Sequence, residues 1–308
     1  MKYLMIGAGG TGGCLGAYLG KAGQKVAWIA RGSHLETMKK NGLEAHTAGA
    51  GNFRLYPVKA CVMDDYCETP DVVFVCVKYY SLDECVPFLK RICGSHTVVI
   101  PILNVFETGS ILQEQLPGIT VLDGCVYIYG KIERPGVVVQ PSPIFRVYFG
   151  YRPEQEHLED TKLRQVEKDL NEAGIEGHFT DQIRRDALQK FSYVSPVGAA
   201  GLYYHAVAGD LVEPGEKQKL LVTLIREIEA LGNAMGITFE QDLAEVNLEI
   251  LRGLEKDADT SMQRDVAAGK PSEIEGLVHR VAALADQYGV DCPGYHMVSS
   301  WAREKGLQ

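Results

Sequence analysis

Residues Lys2 to Arg31 constrain the fold of this chain more than any other stretch. Tyr3 to Ile6 is an apolar run of strand length, and Gly7, Gly9 and Gly12 follow it as G-x-G-x-x-G. Thr11 to Lys21 alternates at helical spacing, and Val26 to Ala30 is a second apolar run that ends at Arg31. Strand, glycine turn, helix and strand in this order make the βαβ unit that binds a dinucleotide. In such a unit Gly7 turns the chain sharply off the strand. Gly9 leaves the backbone bare against a pyrophosphate, and Gly12 lets the helix pack close to the sheet. Gly7, Ala8, Gly9, Gly10, Thr11 and Gly12 are therefore the cofactor-binding candidates, because the helix start offers unpaired N–H groups and a positive dipole end.

Arg31 narrows the ligand. An acidic residue at the end of the second strand would take the ribose hydroxyls of NAD, whereas arginine suits the 2′-phosphate of NADP. No Asp or Glu occurs between Gly7 and Arg31. The expected cofactor is NADPH/NADP, with a solvated surface arginine as the plain alternative.

At 308 residues and 46% hydrophobic content the chain can build two cores. A net charge of −9 argues against a nucleic-acid partner bound over a broad surface. No apolar run is long enough for a membrane span, and no signal-like segment precedes the first strand, so a cytoplasmic location is expected. The eight cysteines form no C-x-x-C pair, and several lie inside apolar runs. They read as small buried hydrophobes, and no metal site is expected.

Along the chain, strands are expected at Leu43–Thr47, Phe53–Ala60, Asp71–Val77, Thr97–Leu103, Ile119–Tyr129, Val137–Gln140, Phe145–Phe149 and Ile175–Thr180. The pair Val137–Gln140 and Phe145–Phe149 is expected to be antiparallel, because the connections are too short for crossover helices. Helices are expected at His34–Asn41, after Ser81 as a cap, at Val105–Gln115 and at Leu158–Ala173. Beyond Thr180 only helical periodicity survives, over Asp181–Tyr204, Glu216–Met235, Phe239–Leu254, Ser272–Tyr288 and Tyr295–Lys305. The stretch 261–271 reads as a polar loop. The fold class is thus an α/β dinucleotide-binding domain, residues 1–179, followed by an all-helical domain, residues 180–308.

Four positions could carry chemistry. Lys78 and Asn104 follow the apolar runs ending at Val77 and Leu103, at the carboxyl ends of strands where doubly wound sheets bind ligands. A solvated lysine and a helix cap are the plain alternatives. Lys190 lies in the mostly apolar stretch DALQKFSYVSPVGAAGLYY, where an ammonium is costly unless it reaches water, a partner or a ligand. Snorkelling to the surface is its plain alternative. In SMQRDVAAGKPSEIEG (261–276) Ser272 can cap a helix whose positive end Glu273 and Glu275 favour, and a carboxylate near Lys190 would hold its ammonium in place.

GAGGTG at 7–12, Arg31, CVK at 76–78, Asn104, Lys190 and the SM…D…G…EIE pattern of 261–275 together resemble the ketopantoate reductase (2-dehydropantoate 2-reductase) family. The likeness runs in order over most of the chain. It implies a Rossmann domain with a helical domain, of the 6-phosphogluconate dehydrogenase class, with the active site in the cleft between. It also implies NADPH-dependent reduction of the 2-keto group of ketopantoate to pantoate, in pantothenate synthesis. Carried over by position, Lys190 would be the general acid, and Glu273 would set its charge and orientation. Ser261 would contact the substrate carboxylate, with Lys78 and Asn104 near the nicotinamide and the substrate. The implied partner is a small-molecule 2-oxo acid, and the assembly a monomer or homodimer.

The chain departs from that family at the distal end of the substrate. Val194, Gly198, Ala208 and Ala258 stand where asparagines are usual, and Asn104-Val105 replaces an N-G pair. Ser192, Tyr193, Ser195 or Tyr203 could substitute as polar groups. Two other functions therefore stay open: reduction of a more apolar 2-oxo acid, and an NADP-binding sensor without turnover.

Overall fold

A computed structural model describes residues 1–307. The chain divides into two compact units. The first comprises Met1–Val77, Ser81–Leu103 and Glu107–Ile183; the second comprises Lys78–Tyr80, Asn104–Phe106 and the chain from Arg184 onward.

In chain order the first unit holds β1 (Lys2–Ile6), α1 (Gly10–Lys21), β2 (Lys25–Ile29), α2 (Gly32–Asn41), β3 (Leu43–Thr47), β4 (Gly51–Leu55), β5 (Lys59–Cys61) and β6 (Val72–Val75). Next come α3 (Leu82–Ile92), β7 (Val98–Pro101), α4 (Thr108–Gln115), β8 (Thr120–Val121), β9 (Asp123–Ile128) and β10 (Lys131–Arg134). The unit closes with β11 (Val137–Gln140), β12 (Phe145–Gly150), α5 (Asp160–Glu172) and β13 (Glu176–Phe179).

Six strands form one parallel sheet in the order β5-β2-β1-β6-β7-β8. Counting only these strands, the order is the 3-2-1-4-5-6 of the Rossmann fold, and it reverses between β1 and β6. Every residue of β6 and β7 is buried, as near-continuous apolar runs covered on both faces must be. Helix α1 lies close to the sheet because its glycines allow it: a Cβ on Gly16 would stand 2.4 Å from the Trp28 indole nitrogen. That nitrogen donates to the Gly12 carbonyl at 3.2 Å. Two smaller sheets complete the unit, β10-β11-β3-β4 and β13-β12-β9.

Several expected elements differ, each for a local reason. The run Phe53–Ala60 is two strands, since Pro57 has no N–H to continue a ladder; β4 pairs with β3, and β5 joins the main sheet. Ile119–Tyr129 also breaks, at Leu122. β8 stays in the main sheet while β9 pairs with β12, and buried Arg152 holds Asp123 at the crossing, 3.2 Å away. β11 and β12 do not pair with each other: β11 is antiparallel to β10, which periodicity did not reveal, and parallel to β3. Helix α4 begins at Thr108 instead of Val105, because Glu107 sits in the left-handed region at φ 62°. Ser81 occupies the N-cap position of α3, but its side chain makes no capping hydrogen bond.

The second unit is helical: α6 (Ile183–Tyr204), α7 (Ala208–Val212), α8 (Glu216–Ala234), α9 (Leu243–Arg252) and α10 (Ser261–Ala267). A π-helical turn, Glu275–His279, then runs into α11 (Arg280–Tyr288), and α12 (Pro293–Glu304) comes last. Leu220, Leu221, Leu224, Ile225, Ile228 and Leu231 of α8 form the buried stripe that their spacing predicts. The stretch 261–271, expected as a loop, carries α10, which Thr260 starts by accepting the Gln263 N–H in a capping box.

Helix α6 contains Pro196, which cannot donate to the Ser192 carbonyl one turn back. Asn247 of α9 replaces that donor: its Nδ2 lies 2.8 Å from the Ser192 carbonyl and 3.0 Å from the Ser192 hydroxyl. One turn on, the Ser195 hydroxyl donates to the Leu277 carbonyl in the π-helical turn at 2.6 Å. Asn247 is 2 % exposed. Asn247→Leu is therefore expected to lower unfolding free energy by about 1–3 kcal/mol, the cost of an orphaned buried carbonyl. Urea unfolding measures this, and a change under about 0.5 kcal/mol would contradict the role given to Asn247.

Candidate active site

In the first unit the glycines of the turn divide into two kinds. Gly7 has φ +100°, open to glycine at little cost. A Cβ on Gly10 or Gly12 would stand 2.1 Å from the carbonyl oxygen of Gly130 or Gly7 respectively, so packing within the unit explains both. Gly9 is different. Its φ is an ordinary −68°, and a Cβ there would meet nothing within 4 Å. Nothing in the protein itself requires glycine at this position, and the open space lies at the start of α1. The first turn of α1 carries no acidic residue to oppose an anion. Arg31 is exposed two residues after β2, at the N-cap of α2. These residues fit a pyrophosphate on the turn and a phosphate beside Arg31.

In the second unit the structure brings Lys78, Asn104, Lys190 and Glu273 into two hydrogen-bonded pairs. Lys190, on α6, is 7 % exposed, and its Nζ donates to Asn104 Oδ1 at 2.8 Å. Asn104 is anchored by the two residues after it. Val105 and Phe106 are both buried, and the Phe106 ring packs 6.1 Å from Phe191, next to Lys190. The helix-cap alternative for Asn104 fails, since α4 starts four residues later.

Glu273 is 2 % exposed, and both of its oxygens are engaged by one short segment. Lys78 Nζ donates to Oε2 at 3.0 Å, and the Tyr79 N–H donates to Oε1 at 3.2 Å. Glu273 thus clamps Lys78 and the backbone of Tyr79. Asp265 of α10 adds a second carboxylate 3.4 Å from Lys78 Nζ. Burial works against the charge on Lys78, but Glu273 and then Asp265 outweigh it and raise the pKa above the usual 10.5. The stability contributed by this pairing is full below pH 10.5 and is lost only as pH rises through the raised value. Lys78 stays cationic throughout the neutral range.

Gly276 sets the spacing of the cluster. A Cβ there would stand 2.4 Å from Val105 Cγ2 and 3.0 Å from the Tyr79 ring. Its bareness lets the segments Lys78–Tyr80 and Asn104–Phe106 pack beside the turn that comes after Glu273. Asp265 and Gly276 were missed from the sequence, the first because α10 was read as loop. Its spacing from Ser261, which opens α10, places both on one helical face.

Two of the four residues standing where asparagines were expected, Ala208 and Ala258, meet. The Ala208 N–H donates to the Ala258 carbonyl at 2.9 Å. Met262 packs over Gly198, with Cε 3.0 Å from where a Cβ would be. Of the polar substitutes, Ser192 is bonded to Gln189 and Asn247, and Ser195 to Leu277 and Tyr295, both fully buried. Tyr203 packs edge-on against Tyr204 and Trp301. Tyr193, one turn beyond Lys190 on α6, remains, its hydroxyl pKa pushed up by burial to about 12.

The family model described as ketopantoate reductase PanE/ApbA matches residues 3–154, and the model of its C-terminal domain matches 182–306. The chain belongs to the ketopantoate reductase family. It is 26% identical to a 2-dehydropantoate 2-reductase of Mesorhizobium japonicum, over 92% of this chain and 91% of the relative. Among solved structures, 2-dehydropantoate 2-reductase from Methylococcus capsulatus superposes with a TM-score of 0.87 at 22% identity, covering 99% of this chain and 97% of the other. A D-mandelate dehydrogenase solved with NADH and anilino(oxo)acetate reaches the same TM-score at 18% identity, covering 99% and 98%. Members of this oxidoreductase family bind a nicotinamide dinucleotide. No helix among the described residues is long and apolar enough to cross a membrane.

Proposed function

We propose that this ketopantoate reductase family member reduces the keto group of a 2-oxo acid at the expense of NADPH, with ketopantoate as substrate and pantoate as product, a step of pantothenate synthesis. The observation that carries it is the buried Lys190 ammonium hydrogen-bonded to Asn104. The bound dinucleotide supplies a hydride to the carbonyl carbon. As negative charge builds on the carbonyl oxygen, Lys190 Nζ stabilises it and passes over a proton, leaving the hydroxy acid and a neutral amine. Asn104 Oδ1 aims the ammonium by accepting one of its protons, and Ser261 contacts the substrate carboxylate. Glu273 acts through Lys78 and the Tyr79 backbone to keep the cation in place. The turn Gly7 to Gly12 holds the pyrophosphate, with Gly9 bare against it.

Arg31 takes the 2′-phosphate. Arg31→Ala should weaken NADPH binding about tenfold or more and leave NADH binding nearly unchanged, since hydrogen bonds between charged groups are worth about 1.5–3 kcal/mol. Fluorescence titration with both dinucleotides measures this, and an unaltered NADPH-to-NADH ratio refutes the role.

A second substrate has support of its own. Val194, Gly198 under Met262 and the engaged hydroxyls of Ser192 and Ser195 leave few polar groups for a distal substrate hydroxyl. A more apolar 2-oxo acid fits that side of α6. Incubating the protein with NADPH and a panel of 2-oxo acids, and following loss of the reduced-nicotinamide absorbance, separates the two by kcat/KM. Oxidation with none of them would overturn the reductase assignment.

A further inference from the structure

His34 has no part in the cluster described above, yet it packs against the glycine turn of the first unit. It lies in the first turn of α2, three residues after Arg31, and is 9 % exposed. The Gly136 N–H, in the turn between β10 and β11, donates to His34 Nδ1 at 3.0 Å. A ring nitrogen that accepts a hydrogen bond carries no proton, so the neutral ring holds its proton on Nε2. Burial favours this neutral form, and the Ala8 carbonyl pulls the other way by attracting the ring proton. Nε2 itself is buried and has no hydrogen-bond partner. The ring therefore keeps an unused buried donor, and the Ala8 carbonyl of the glycine turn is the backbone group that favours its protonated form.

Ala8 and Gly9 share one peptide group. Because that group is planar and trans, its C=O and N–H point in opposite directions. A hold on the Ala8 carbonyl from the ring side fixes the direction of the Gly9 N–H. Gly9 is also the residue of the turn whose bareness no packing contact within the protein requires. We propose that His34 is a positioning residue of the dinucleotide site, its Nε2–H closing on the Ala8 carbonyl when a pyrophosphate is bound and so aiming the Gly9 N–H at a phosphate oxygen. The proposal rests on the dinucleotide reading of the turn.

Two substitutions split the ring into its halves. His34→Asn keeps an acceptor near Nδ1 for Gly136, and His34→Gln keeps a donor near Nε2 for Ala8. The expected result is an NADPH Kd raised about five- to tenfold by His34→Asn and within about twofold of wild type for His34→Gln, the scale of one hydrogen bond. KM for the oxo acid stays the same in both. A merely structural histidine would give the two variants equal Kd values, and equal values overturn the proposal. If the wild-type protein binds neither NADPH nor NADH, the dinucleotide reading falls and this proposal with it. Nitrogen NMR of the wild-type ring serves independently of either variant. The expected spectrum shows the Nε2–H tautomer, with that proton entering slow exchange on addition of NADPH. An Nδ1–H tautomer, or no gain in protection, overturns the proposal.

Discussion

Lys190→Ala is expected to lower kcat by about 10² to 10⁴ while leaving dinucleotide affinity close to wild type, because general acid catalysis supplies a factor of that size. The split matters more than the loss. Lys190 lies on α6 of the second unit, and the glycine turn and Arg31 belong to the first. Truncating Lys190 also frees Asn104 Oδ1, which loses a charged donor at 2.8 Å. Lys190→Gln returns a neutral donor to Asn104 without an acid. It should recover stability but little rate. Single-turnover reduction and NADPH titration on both variants measure the two quantities, and more than about a tenth of wild-type kcat in either would remove Lys190 from the reaction.

Gly276→Ala should disrupt the cluster without touching any polar group. The new Cβ would lie 2.4 Å from Val105 Cγ2, and Val105 is a buried valine with no flexible end to yield. Overpacking of this kind costs about 1–3 kcal/mol. The displaced residue is the neighbour of Asn104, so Asn104 moves relative to Lys190, and a misplacement near 1 Å can lower the rate about a hundredfold. Val105→Gly in the same chain makes room and should restore much of both losses. A double-mutant cycle on urea unfolding and kcat should give a coupling of about 1 kcal/mol or more. Strictly additive effects would mean that Gly276 and Val105 do not control the spacing.

The first unit was largely legible because parallel strands buried on both faces are continuous apolar runs, and DVVFVCV announces itself as one. Its errors fell where one residue breaks a pattern: Pro57 splitting a strand, Leu122 sending the chain to another sheet, Glu107 taking a left-handed turn. None of these alters hydrophobic periodicity, which registers burial and not which neighbour a strand takes. In the second unit the long helices were legible and α7 and α10 were not, since five or seven residues hold too few turns for a stripe to show. The candidate site was legible as residue types but not as pairs. Lys190 stood out as a cation in apolar sequence, and Glu273 as a carboxylate in a recognisable pattern. Which carboxylate meets which cation depends on Gly276 and α10, whose parts are far apart in sequence from Lys78 and Asn104.

Lys78–Tyr80 and Asn104–Phe106 belong to the second unit although the surrounding chain belongs to the first. The helical unit is thus not a cassette. A fragment beginning at Arg184 would carry Lys190 without Asn104, Glu273 without Lys78, and a bare Gly276 facing the gap left by Val105. Grafting that fragment from one relative onto the strands of another brings together halves selected in different backgrounds. Exchange of substrate specificity by swapping the C-terminal half should succeed only when the two tripeptides travel with it.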